Sequence, residues 1–254
     1  MAWVVITGGG SGIGRGLVSH FSSRGPVLCC GRREEALQET KRTATNPEAV
    51  TYVACDIGTE VGRTRLLDAL PAAASVSLLV QNAAIGDPGP LAELDLNHFE
   101  EALRVNVVAP LALTKALLPR LHGGRVLHLG TSVAHRPQRG TATYGITKAA
   151  FFRLFQQLNA EGLDVAVGSL SPGLVDTEGV RDHVAKARSL DLPHVSFFDQ
   201  AFEQGWTTNM DQLMNFVDEV LRMPDEQFIS QEWRFSEWRA EVERQSVPQS
   251  ESSL

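Results

Sequence analysis

Short, continuously apolar runs punctuate the chain, and between them the apolar positions return every three or four residues. Trp3 to Thr7, Val27–Cys30, Val50–Cys55, Leu78–Gln81, Val126–Leu129 and Val165–Leu170 are brief and rich in branched residues, as strands buried on both faces are. The stretches Gly12 to Arg24, Glu34 to Thr43, Glu60–Leu70, His98–Leu121 and Tyr144–Glu161 read as helices. Strict alternation of the two predicts one doubly wound α/β domain, a mostly parallel sheet with helices on both faces and right-handed crossovers. After Leu170 the rhythm breaks. About forty residues containing Pro172, Gly173, Pro193 and Gly205 precede the next helix, Met210–Arg222, and an insertion of that length is usually functional. Residues 178–209 are therefore expected to cap a substrate site, with Leu190, Leu192, Val195, Phe197, Phe198, Phe202 and Trp206 either lining a pocket or packing the cap onto the sheet. Phe228–Phe235 reads as a last strand, closing a domain over residues 1–242, and the polar residues 243–254 are expected to stay unfolded.

Length agrees with that picture, since 254 residues lie at the upper end of what a single core supports. The net charge of −7 offers no basic field for a phosphate backbone, so nucleic acid is not an expected partner. Of three cysteines, Cys29 and Cys30 are neighbours in an apolar run, which argues against a disulfide framework and for a reducing compartment. The N-terminus turns Gly-rich after six apolar residues, too few for a signal peptide or a membrane helix, so the expected setting is soluble and cytoplasmic, with no membrane partner. The seven histidines show no metal-ligand spacing, and no metal is expected.

Candidate chemistry begins at the end of the first strand. Thr7-Gly8-Gly9-Gly10-Ser11-Gly12-Ile13-Gly14 opens a helix, and residues without Cβ there let backbone approach a pyrophosphate and aim helix N-terminal amides at its charge. The strand, loop and helix order is the one a dinucleotide site requires. The second strand ends Cys30-Gly31-Arg32-Arg33, with Gly31 where an NAD site places an acid for the ribose 2′-hydroxyl. Arg32 and Arg33 instead suit a 2′-phosphate, so NADP(H) is the expected cofactor, unless the two arginines merely solvate the next helix. Tyr144 and Lys148 stand at i and i+4 of a helix, where an ammonium beside a phenol lowers its high intrinsic pKa.

Together these residues resemble the short-chain dehydrogenase/reductases over nearly the whole chain, and Ala134-His135-Arg136-Pro137 resembles the sepiapterin-reductase and benzil-reductase branch, which reduces vicinal diketones. The resemblance implies a Rossmann sheet of seven strands in the order 3-2-1-4-5-6-7. It implies that the segment with Asp56 and Ile57 contacts adenine through Asp56, that Asn82 and Ala83 follow the fourth strand beside the cofactor, and that after the Pro172-Gly173 turn Val175 and Thr177 hold the nicotinamide carboxamide. Tyr144 matches the family's general acid/base, and Lys148 the residue that holds the nicotinamide ribose and lowers the Tyr144 pKa. Asn106 matches its structural and catalytic Asn, holding a water that links Lys148 to solvent. The family's serine hydroxyl, thirteen residues before the tyrosine, falls at Thr131, with Ser132 next to it as the alternative donor.

The implied activity is NADPH-dependent reduction of a small ketone or diketone. The rival readings are alcohol oxidation or isomerisation on the same fold, and a non-catalytic NADP-binding sensor. Pairing through the two long helices, where Phe151, Phe152, Phe155 and Leu158 exceed one core-facing stripe, implies a homodimer or homotetramer.

Overall fold

The computed structural model describes residues 1–246. Seven strands, β1 (Trp3–Thr7), β2 (Val27–Gly31), β3 (Val50–Ala54), β4 (Val76–Gln81), β5 (Arg125–Leu129), β6 (Ala166–Ser171) and β7 (Glu232–Arg234), form one sheet in the order β3-β2-β1-β4-β5-β6-β7. Every pairing is parallel, so the sheet is wholly rather than mostly parallel. Strand order reverses between β1 and β4, and in such sheets ligands bind at the carboxyl ends beside that reversal.

The helices follow from recognisable start and stop signals. Helix α1 (Gly12–Ser22) leaves the Gly loop, and α2 (Glu34–Thr43) carries Glu34 and Glu35 in its first turn and Lys41 and Arg42 in its last, matching the helix dipole at both ends. Helix α3 (Glu60–Asp68) is capped by Thr59, whose hydroxyl accepts from Gly62 N at 3.0 Å. Next come α4 (Leu96–Leu103), a π turn over Arg104–Val108 and α5 (Ala109–Leu117). Pro110 has no N–H, so Asn106 loses its α-helical donor, and the ladder widens there. The helical stretch Leu96–Arg120 is long and apolar enough by composition to cross a membrane, yet Ala109, Leu113 and Leu117 are fully buried along the sheet.

After β5, on the same face of the sheet as α5, comes α6 (Ala142–Ala160), followed after β6 by α7 (Glu178–Ser189), α8 (Val195–Glu203), α9 (Met210–Arg222), the short α10 (Asp225–Phe228) and α11 (Phe235–Ser246). Two apolar layers cover the sheet: Ile6, Val80, Leu127 and Leu170 pack toward α1 and α9, and Val5, Leu79, Val126 and Val167 toward α5 and α6. The three cysteines are free and buried.

Three expectations are corrected. Phe228–Phe235 is not one strand: Asp225 and Glu226 start a helical turn after Pro224, Phe228 buries its ring against Gly168 of β6, and only Glu232–Arg234 pairs with the sheet. Phe235 opens α11, where it and Trp238, three residues on, pack on Phe216 of α9. The unfolded tail does not begin at Glu243, which lies in α11 with Arg239 Nε 3.6 Å away, while residues 247–254 lie outside the described residues. The apolar surplus of α6 is consumed internally: Phe151 stacks on His128, Phe152 meets His135 edge-on, and Phe155 and Leu158 are buried.

Candidate active site

The Gly loop is a cradle that side chains would fill. A Cβ on Gly14 would fall 2.0 Å from the Gly8 carbonyl oxygen, and one on Gly12 would fall 3.0 Å from the Thr177 side chain. Gly8 and Gly12 also adopt φ of +72° and +51°, a region that L side chains rarely enter. From beneath, the loop is stitched to β4 and α2. Asn82 Nδ2 donates to the carbonyls of Thr7 at 2.9 Å and Gly8 at 3.1 Å. Thr7 Oγ1 accepts from Asn82 N and Ala83 N, both at 3.1 Å. Thr40 Oγ1 donates to Gly9 O at 3.0 Å, and Arg15 Nη2 to Gly10 O at 2.8 Å. Gly9 N donates to Cys30 O at 2.8 Å, and the loop runs on through Ser11 into the start of α1 at Gly12 and Ile13. Thr40 and Arg15 carry no motif in the sequence, because their role depends on α2 folding back across the loop.

Around the cradle stand the other expected cofactor residues. Arg32 and Arg33 extend from the end of β2 with side chains 62% and 63% exposed, at 3.6 Å from Glu101 and 3.7 Å from Glu178. Asp56 follows β3, where its Oδ1 accepts from Gly58 N at 2.8 Å, while Ile57 is buried in the core. The Pro172-Gly173 turn is pinned by Thr208, whose hydroxyl donates to Pro172 O at 2.9 Å; Val175 is buried, and the Thr177 hydroxyl caps α7.

Toward the carboxyl end of β5 the chemistry changes. Lys148 is almost wholly buried, its Nζ donates to Leu129 O at 2.7 Å, and the Tyr144 ring centroid lies 5.8 Å from it. Burial pushes Lys148 down to about 8, and burial alone pushes the Tyr144 phenol up to about 12, so near neutral pH the phenol keeps its proton and the expected lowering of its pKa by Lys148 is corrected: desolvation outweighs the ammonium there. Gly86 backs the phenol: a Cβ there would lie 2.8 Å from Tyr144 Cβ. Thr131, two residues past β5 and half-buried, caps a 3-10 turn over Ser132–Ala134, its hydroxyl accepting only a long 3.4 Å contact from Val133 N, and Ser132 beside it is exposed.

Asn106 does not reach Lys148 through its side chain. Its Nδ2 donates to Ile85 O at 2.7 Å and to Thr147 Oγ1 at 2.8 Å, and its Oδ1 accepts from Ile85 N at 2.9 Å. It therefore fixes the segment carrying Gly86. His128 lies behind Lys148, fully buried, and is held uncharged by burial and the neighbouring ammonium. The cap, α7 and α8, is tied to both flanking loops, by Lys186 on Asp87 and by His194 Nδ1 at 3.2 Å from Arg139 O. Leu192 is buried against Gly140, whereas Phe197 and Trp206 stay 54% and 46% exposed.

A Gly cradle at the sheet's reversal and a Tyr/Lys pair at the next strand end are what a nicotinamide dinucleotide and its reacting partner require, and the family described as short chain dehydrogenase matches residues 2–188. The chain belongs to the short-chain dehydrogenase family. It is an oxidoreductase of a family that uses nicotinamide cofactors. It is 32% identical over 185 residues to an uncharacterized oxidoreductase, YvaG, of Bacillus subtilis, covering 69% of each chain. To sulfoacetaldehyde reductase 2 of Chromohalobacter salexigens it is 30% identical, covering 69% of this chain and 73% of that one. The fold matches the crystal structure of the KRED1-Pglu enzyme with TM-score 0.81 at 22% identity, over 92% of this chain and 100% of that one. Serine dehydrogenase complexed with NADP+ matches with TM-score 0.73 at 23% identity, over 88% and 90%.

Asn82→Ala should orphan two loop carbonyls and cost about 1–3 kcal/mol in urea unfolding. A loss below about 0.5 kcal/mol would show that the loop stands without that amide.

Proposed function

We propose that the protein is an NADPH-dependent carbonyl reductase acting on a small ketone or diketone, with Tyr144 as general acid. The observation that carries this reading is the phenol itself: half-buried in the first turn of α6, backed by Gly86, its hold on the proton strengthened by burial, with a hydroxyl that has no protein partner among the described residues. A reduction needs a held proton at that point, whereas alcohol oxidation needs a base.

The Gly cradle with Asn82 and Ala83 would hold the pyrophosphate and adenosine side, Asp56 and Ile57 the adenine end, and Pro172, Gly173, Val175 and Thr177 the nicotinamide end. NADPH bound there supplies the hydride. Tyr144 Oη then gives its proton to the developing alkoxide, and the hydroxyl of Thr131, or of Ser132, donates a hydrogen bond to the same oxygen. Lys148 would hold the ribose. Asn106 takes part in proton return through its main-chain carbonyl, which Pro110 leaves without its α-helical donor. Arg32 and Arg33 would leave their long, exposed carboxylate contacts for a 2′-phosphate. The cap would close over the substrate. Exposed Val108, Leu111 and Ile146 support pairing of two copies through α5 and α6.

Nicotinamide absorbance with a panel of ketones and diketones tests the reading. Tyr144→Phe should abolish turnover while NADPH affinity stays within a few-fold, and Thr131→Val should lose on the order of 10²–10³ in rate. Turnover should also fall as pH rises through about 8, because a depressed lysine is charged only below its pKa. Tyr144→Phe activity above about 10% of wild type would remove the phenol from the reaction.

Cofactor choice is tested separately. A Cβ on Gly31 meets only ordinary contacts, Leu37 Cδ2 at 3.5 Å being the nearest, so an acid fits there. NADPH should surpass NADH in kcat/KM by about ten- to a hundredfold, and Gly31→Asp with Arg32→Ala should reverse that order. Equal use of both by the wild type would mean that Arg32 serves solvent alone.

A further inference from the structure

Four adjacent strands carry a row of polar side chains on the face toward α6. Gln81 pairs with His128, His128 with Ser169, and Ser169 with Glu232, and directly paired residues share a face of the sheet. All four are buried. The row ends in an ionisable group, for the Glu232 side chain is only 2% exposed. Its Oε1 accepts from Ser169 Oγ at 3.1 Å, and its Oε2 lies 2.8 Å from His135 Nε2, three residues past Ser132.

Gly130 is what lets this carboxylate reach the end of β5. A Cβ there would fall 2.0 Å from Glu232 Oε1. The residue before it, Leu129, is the one whose carbonyl receives the Lys148 ammonium, so anion and cation meet consecutive residues of one strand end. The other groups facing Lys148 are the Tyr144 ring, the Phe151 ring at 4.5 Å and the uncharged His128. Those facing Glu232 are Ser169 and His135, with Arg234 of β7 and Glu237 of α11 on the groove outside it. Glu232 opposes the downward pull of burial on Lys148.

We propose that Glu232 is a positioning residue for the reaction, a buried counter-charge that keeps the Lys148 ammonium cationic at the end of β5 and, through His135, ties down the segment bearing Thr131 and Ser132. Its place in catalysis rests on the carbonyl-reductase reading; its effect on Lys148 does not.

The chain has four lysines, Lys41, Lys115, Lys148 and Lys186, so NMR of full-length protein labelled with 13C at lysine Cε can follow Lys148 alone, with Lys148→Met giving the assignment. Glu232→Gln should move the Lys148 midpoint down by at least about half a pH unit, and Glu232→Asp should restore most of it. The alkaline limb of kcat should shift by the same amount, with the KM for NADPH changing less. Gly130→Ala keeps both charges but pushes them apart, so it should shift the midpoint in the same direction and carries the test if Glu232→Gln does not fold. A Lys148 midpoint unchanged in either folded variant overturns the proposal. The titration uses no substrate: a wild type that reduces no ketone defeats the proposed function while the Lys148 shift still decides this inference.

Discussion

A lysine ammonium buried against a main-chain carbonyl is the constraint around which this site is organised. Removing a charge from water is costly, and Lys148 offsets part of that cost through the Leu129 carbonyl and the charge of Glu232. The same burial that depresses Lys148 raises Tyr144. Burial strengthens the phenol's hold on its proton and weakens the ammonium's, so the lysine is the member of the pair whose charge lies closer to neutral pH.

The Gly loop solves a different problem. Its amides must stay free for a ligand, yet a loop with several glycines has high conformational freedom. Asn82, Thr7, Thr40 and Arg15 take up its carbonyls and lower edge, so rigidity comes from below and the upper face stays open. Asn106 does the equivalent on the substrate side, holding Ile85 through two main-chain bonds and so placing Gly86 against the phenol.

Much of this was legible in the sequence because the signals are local. Apolar runs such as Val27–Cys30, the Gly loop and the Tyr144/Lys148 spacing all act within one element or one turn. What stayed hidden depends on long-range contact: Glu232 meets Ser169 and His135 across 63 and 97 residues, and Asn106 meets Thr147 across 41. The aromatic run from Phe228 to Phe235 mimics a strand because its rings serve packing against Gly168 and Phe216 rather than strand alternation. Glu232 sits inside that run, and nothing in its immediate neighbours marks it as buried.

The most direct measurement is isotopic. Reduction of a ketone by NADPH deuterated at the transferable position of the nicotinamide should place one deuterium on the carbinol carbon of the product, read by mass spectrometry, with the hydroxyl proton coming from solvent through Tyr144. A product alcohol without deuterium on that carbon would contradict hydride transfer at this site.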